Sequence, residues 1–215
     1  MKNLLVGLSS MLGLYTTSAL AQNSVQDIKN YLVLKDQLKA LDLATLQKIT
    51  ANPTEKNVKK GLATYYTFLK TPLPEHNPTA GKVAIDALEA SANRYMDPIA
   101  LVKLAIVYAH DNPSINIKQD RAKSLKYLSI AWEIADLADR ATGDNALLTL
   151  IINNSLGIGD GLLADNANGR FAMKKALDAM RPGVLSARER FKKLYNLSVK
   201  DEVAGSTNVE RHYGG

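Results

Sequence analysis

The chain has 215 residues, among them no cysteine, one tryptophan and three phenylalanines. Without a thiolate there is no disulfide framework, no cysteine-ligated zinc, no iron–sulfur cluster and no thiol nucleophile. Beyond the N-terminus no apolar run approaches the roughly 18 residues that signal a membrane helix. Alternating strand patterns are nearly absent. The three histidines, His76, His110 and His212, lie far apart, and none pairs with a Glu in a metal-binding spacing. His110, close after Tyr108, reads as a capping or surface residue. There is no Gly-x-Ser-x-Gly elbow and no Ser-x-x-Lys. The run Gly157-Ile158-Gly159-Asp160-Gly161 lacks the Lys-Ser/Thr ending and the preceding strand of a phosphate loop, so it reads as a turn. Asp160, Asp165, Asn166 and Asn168 supply oxygens but miss the calcium-loop spacing. No catalytic constellation, cofactor site or metal site emerges.

What is present is ample material for a core: 46% of the residues are apolar and 22% charged. Such a chain buries enough aliphatic surface to fold rather than stay disordered. Residues 1–21 read as a secretory signal. Lys2 is followed by the apolar stretch Leu4 to Leu14, and Ala19-Leu20-Ala21 supplies a small-x-small cleavage site. No Cys follows for lipid attachment, and no Arg pair precedes the apolar run. The expectation is a mature chain starting at Gln22, periplasmic in a bacterial source, with a fully secreted form as the other destination and no integral membrane segment. Cleavage removes Lys2 and lowers the net charge from +6 to +5. That excess is too small and too spread out for nucleic-acid binding, which needs a concentrated basic stripe with stacking aromatics. The densest cluster, Arg188, Arg190, Lys192 and Lys193, reads as a solvated helix face or as a weak contact to an anionic surface.

Apolar residues recur at three- and four-residue spacing between a few Pro- and Gly-rich breaks. Ile28, Tyr31, Leu32, Leu38 and Leu41 form one helical series, and Val58, Leu62, Tyr65, Tyr66 and Leu69 another. Val83, Ala84, Ala87, Leu88 and Ala92 follow. Further helices are expected over 99–110, 122–138, 145–156, 171–180 and 185–195. Asp97-Pro98 is a helix start, with Asp as cap and Pro in the first turn. Gly157 to Gly161 and Pro182-Gly183 read as breaks, and 198–215 as a disordered tail.

The helices repeat. Ala100, Leu104, Ala105 and Tyr108 are followed by Asp120-x-x-Lys123-Ser124-x-x-Tyr127-Leu128-x-x-Ala131-Trp132. About 45 residues on, Ala146, Leu150, Ile151 and Asn154 precede Asp165-x-x-Asn168-Gly169-x-x-Ala172-Met173-x-x-Ala176-Leu177. Forty-two residues before Ala100, the series Val58, Leu62, Ala63 and Tyr66 matches the first half again. The units span about 58–92, 97–135 and 143–180.

Over about 58–180 this pattern resembles the Sel-one-like repeats, relatives of the tetratricopeptide repeats. Their unit reads Ala-x-x-x-Leu-Gly-x-x-Tyr-x-x-Gly-x-Gly-Val, then Asp-x-x-Lys-Ala-x-x-Trp-Tyr-x-x-Ala-Ala. The third unit keeps Gly157-x-Gly159 but has Asn154 for Tyr; the second keeps Tyr108 and Asp120-x-x-Lys123 but carries Pro113 where the glycines would stand. The resemblance implies an all-α, right-handed solenoid of about three helix–turn–helix repeats within residues 22–197. Extra helices at 26–51 and 184–196 would seal its ends. Small residues such as Ala105, Ala131 and Ala176 would let paired helices approach, since each unit buries its apolar face only by stacking on the next. The resemblance also implies a non-enzymatic scaffold or adaptor that holds another envelope protein, for instance during assembly of a type VI secretion system. The alternative is a secreted effector or inhibitor that binds a host protein or a cell-wall hydrolase. If the first helix of each unit lines a concave side, as in tetratricopeptide relatives, the inner residues are Lys60, Thr64 and Phe68, then Val102, Ile106 and His110, then Leu148, Ile152 and Leu156. Such a face would hold an amphipathic helix or an extended peptide, unless the terminal helices of the same chain fill it.

Overall fold

A computed structural model of the chain describes residues 25–71, 78–113, 116–163 and 166–198, with residues 78, 156–157 and 159–177 described by their backbone only. The expected signal segment and tail, His76, His212, and the side chains of Leu156 and Ala176 lie outside what is described. The described residues are helical. A short helix at 25–29 (α1) leads into α2 (Tyr31–Lys39), α3 (Leu43–Ala51), α4 (Asn57–Lys70), α5 (Pro78–Arg94), α6 (Pro98–Ala109), α7 (Arg121–Thr142), α8 (Ala146–Leu163) and α9 (Asn166–Tyr195). None of these helices is long and apolar enough to cross a membrane.

Local chemistry sets the helix starts. Three aspartates in extended conformation each accept a bond from the first turn: Asp42 from Thr45 N at 2.7 Å, Asp97 from Ala100 N at 2.9 Å and Asp120 from Lys123 N at 2.9 Å. Each satisfies an amide that the helix leaves without a carbonyl. The α6–α7 connection, where Pro113 stands in the second unit, is tied off by reciprocal backbone bonds between Asn112 and Ile117. Gly143 ends α7 in the left-handed region at φ 69°, a conformation that costs a side chain but not glycine.

Packing runs mainly between helices one or two apart in chain order. Among the described residues α4 packs on α3 and α5, α6 on α5, α7 and α8, and α7 on α8 and α9; α2 against α8 departs from this order. The expected contact residues of the second unit are interior: Ala100, Leu104, Ala105, Leu128, Ala131 and Trp132 are all buried. So are Val58, Leu62, Ala63 and Tyr66 of the first. Small residues let the helices meet closely enough for side chain to backbone bonds. Ser91 Oγ donates to the Gly61 carbonyl at 2.8 Å across α5 and α4, and Ser124 Oγ to the Ala105 carbonyl at 2.7 Å across α7 and α6. In the third unit the interior positions are Leu147, Ile151, Ser155 and Ile158; Leu150 is half-buried and Asn154 exposed.

Two expected breaks are absent. α8 runs on through Gly157, Gly159 and Gly161 to Leu163, and α9 passes through Pro182 and Gly183 without interruption. In α8 a buried stripe, Ile151, Ser155 and Ile158, runs into the glycine-rich stretch, and in α9 a buried apolar stripe, Val184, Ala187 and Phe191, begins two residues after Pro182. Burial of such a stripe, about 2 kcal/mol for a large aliphatic side chain, exceeds the glycine penalty of about 1 kcal/mol and offsets much of a proline's. The helix expected at 171–180 and the sealing helix at 184–196 are therefore one element.

Candidate functional site

The projected inner residues fall into three environments. Thr64, Phe68 and Val102 are buried. Lys60, Ile106, Leu148 and Ile152 are half-buried, and His110 is exposed at the C-terminus of α6. Thr64 is covered from α3, whose Thr50 hydroxyl lies 3.4 Å from its own, while it donates to the Lys60 carbonyl at 2.8 Å. Ile106 on α6 and Leu148 and Ile152 on α8 belong to helices that pack side by side. Apolar residues that remain partly open on adjoining helices can accept a further apolar surface. Lys60 reaches the Pro53 carbonyl at 3.2 Å.

The N-terminal helices lie across the starts of α4, α6 and α8. Asp27 pairs with Lys56 at 2.8 Å, just before α4. Tyr31 donates its hydroxyl to Asp97 Oδ2 at 3.0 Å, at the start of α6. Ile28, Lys29, Tyr31 and Leu32 face Ala138, Thr142, Asp144, Ala146 and Leu147 across a crevice of about 10 Å³, at the limit of a single water.

Asp97 is a centre that the sequence showed only as a cap. It is 2% exposed and lies against Gly61, where an added Cβ would stand 3.3 Å from its carboxylate. Burial pushes its carboxyl up to about 6, opposed by the bonds from Ala100 N, Tyr31 and the Ile99 amide. The C-terminal helix reaches the same corner: Tyr195 donates to the Tyr95 carbonyl at 2.5 Å. The phenols of Tyr31 and Tyr195 are both raised, first by burial and then by the Asp97 charge. Between Tyr95 and Asp97, the buried Met96 adopts φ 55°, the strained left-handed region for a side chain of that size.

A second cluster joins α5, α6 and α7. Lys123 Nζ donates to Tyr108 OH at 2.6 Å and to Glu89 Oε1 at 3.1 Å, and Tyr108 OH donates to Glu89 Oε1 at 3.0 Å. The Tyr108 and Tyr127 rings stack with centroids 6.0 Å apart. Burial lowers the Lys123 ammonium, but its bonds to Tyr108 and Glu89 outweigh burial and hold it above its ordinary value. A lysine kept protonated in this way is a structural cation and not a nucleophile. The slots that carried the repeat pattern, Tyr108, Lys123 and Tyr127, thus meet in one bonded group.

The basic cluster divides. Arg188 does not face solvent: it is 7% exposed, and its Nη1 lies 2.5 Å from Oε1 of the buried Glu133 on α7. The apolar run around it on α9 turns this arginine inward. Arg190 donates to the Asn93 carbonyl at 2.7 Å, Lys192 pairs with Glu189 at 3.2 Å, and Lys193 is exposed. Glu133 was missed in the sequence; its signal was a carboxylate enclosed by apolar neighbours in Ala131-Trp132-Glu133-Ile134-Ala135.

Among the described residues no group of three or more His, Asp or Glu side chains is arranged to hold a metal ion. An open depression of about 550 Å³ at the α7–α8 turn is lined by Asp139, Arg140, Gly143, Asp144 and Asn145. The Asp139 carboxyl there is raised by burial and by its neighbours Asp136 and Asp144. Comparison with protein-family models, with curated proteins and with solved structures finds no match to this chain.

Proposed function

We propose that this protein is a non-enzymatic, exported scaffold of the bacterial periplasm, a right-handed solenoid of Sel-one-like helix pairs that holds another envelope protein. The observation that supports this most directly is the order of packing. Each helix lies mainly against those one or two places away in the chain, the nearest-neighbour arrangement by which stacked helix pairs bury their faces. The side-by-side pair α6 and α8, with Ile106, Leu148 and Ile152 half-buried, then receives an amphipathic helix of the partner. In this reading the protein assists the assembly or placement of a multi-protein envelope complex such as a type VI secretion system.

The test places charges on that surface. Ile106→Glu and Ile152→Glu, singly and together, are compared with Leu104→Glu, a change at a fully buried neighbour. The mature protein is used to capture its partner from its own envelope fraction. The expected result is loss of capture by the two isoleucine variants while thermal stability stays close to wild type and Leu104→Glu unfolds. Unfolding of the isoleucine variants shows that these residues are core, and unchanged capture shows that another surface binds.

A further inference from the structure

We propose that α1 and α2 form a strap that closes over the starts of α4, α6 and α8 through the Tyr31–Asp97 contact, and that opens about the α2–α3 corner while the remaining helices stay folded. Three observations place the moving part there. First, α2 contributes little to the interior: two of its nine residues, Tyr31 and Leu38, are buried, against nine of twelve in α6, and Val33 is 58% exposed. Segments with few buried apolar contacts open at lower free energy than the core. Second, α3 does not depend on α2. It begins afresh on its own Asp42 cap and packs along α4, which leaves residues 40–42 as a corner about which α2 can turn. Third, beside the buried side chains Ile28, Tyr31 and Leu38, the strap is tied to the helices it covers by few polar contacts. They are the Asp27–Lys56 pair, whose lysine is 45% exposed, and the Tyr31 hydroxyl on Asp97.

The position of the second tie couples the strap to pH. Asp97 is faced by Tyr31 of α2, by Tyr65 and Tyr66 of α4, by Tyr95 beside it and by Tyr195 of α9. Arg94 lies over the Tyr95 ring, and Asp27 of α1 acts on Tyr195. Closed, the carboxyl titrates at about 6 because it is buried. With Tyr31 withdrawn, water reaches it and it returns toward its ordinary value of 3.8. The closed form therefore binds the proton more tightly. Closure is strongest at acidic pH, weakens as pH rises through about 4 to 6, and changes little above 7. The two values imply a total change of about a hundredfold, of which about tenfold falls between pH 5 and pH 7. The caps from Ala100 and Ile99 stay with α6 in both forms, so α6 itself is not loosened.

Hydrogen exchange of the full chain, read by mass spectrometry from pH 4.5 to 8.5 and corrected for intrinsic rates, tests this. The expected result is a protection factor over residues 25–39 that falls about tenfold between pH 5 and pH 7 and then levels off, while α6 and α7 stay constant. Asp97→Asn keeps a cap and an acceptor for Tyr31 but removes the titration, so its profile over 25–39 should be flat. The proposal is overturned if residues 25–39 exchange in step with α6 and α7 at every pH, or if the asparagine variant keeps the slope. Should that variant fail to fold, the wild-type profile and its internal reference decide alone.

Discussion

Replacement of Arg188 by methionine isolates the cost of a buried charge. The Glu133 side chain is 1% exposed and that of Arg188 8%, with nitrogen and oxygen 2.5 Å apart. Removing the cation leaves the carboxylate of Glu133 in the interior of the α7–α9 interface. Breaking one half of such a pair costs about 3–5 kcal/mol, because the buried ion that remains loses its nearby counter-charge without regaining water. For a chain of this size, about 2–4 °C accompanies each kcal/mol, so Arg188→Met should melt about 10 °C lower. The double variant Arg188→Met with Glu133→Met should recover to within about 1 kcal/mol of wild type or exceed it, since apolar groups of similar volume bear no desolvation cost. The chain supplies its own reporter: Trp132, the only tryptophan, is buried next to Glu133 and donates from Nε1 to Ser155 Oγ at 3.1 Å. Urea unfolding followed by its fluorescence gives all four corners of the cycle. If Arg188→Met loses less than about 1 kcal/mol, the guanidinium is solvated and α9 does not dock on α7 as described.

Two smaller perturbations test the backbone. Gly61→Ala would normally gain helix propensity of up to about 1 kcal/mol, but its Cβ would lie 3.1 Å from Tyr95 Cβ and 3.3 Å from Asp97 Cβ. That corner cannot yield, being held by the Tyr195 bond and the Asp97 cap, so a net loss of about 1–2 kcal/mol in urea unfolding is expected, and a gain would show that α4 stands further off. Pro182→Ala should raise the melting temperature by several degrees, restoring an amide donor at an exposed position inside α9; a fall would mean that α9 is two helices after all.

How much of this was legible in the sequence depended on whether a local signal and its tertiary setting agreed. At α6 they did. Asp97-Pro98 marked the start, and the slots Ala100, Leu104, Ala105 and Tyr108 are buried. At Gly157–Gly161 and Pro182-Gly183 they did not, because a breaker is read from one or two residues, whereas the stripe that overrides it is read only against α7. The inner face suffered from the opposite problem, an excess of signal. α6 is apolar on nearly every side, so repeat register alone could not separate Val102, which is buried, from Ile106, which is half-open. The Glu133–Arg188 pair spans 55 positions and Tyr31–Asp97 spans 66. No periodicity encodes partners at such distances.

The Tyr31 and Tyr195 contacts also show how the two ends of the described chain are held. Here both ends of the described chain return to the single corner between α5 and α6, Tyr31 from one side and Tyr195 from the other. Tyrosine fits such a corner because its ring fills apolar space while its hydroxyl donates to a buried acceptor there. That acceptor is the Asp97 carboxylate in one case and the Tyr95 carbonyl in the other. Contacts between consecutive helices need only short loops to close, whereas these two contacts close 66 and 100 residues at a further entropic cost of about 0.6 kcal/mol per doubling of loop length.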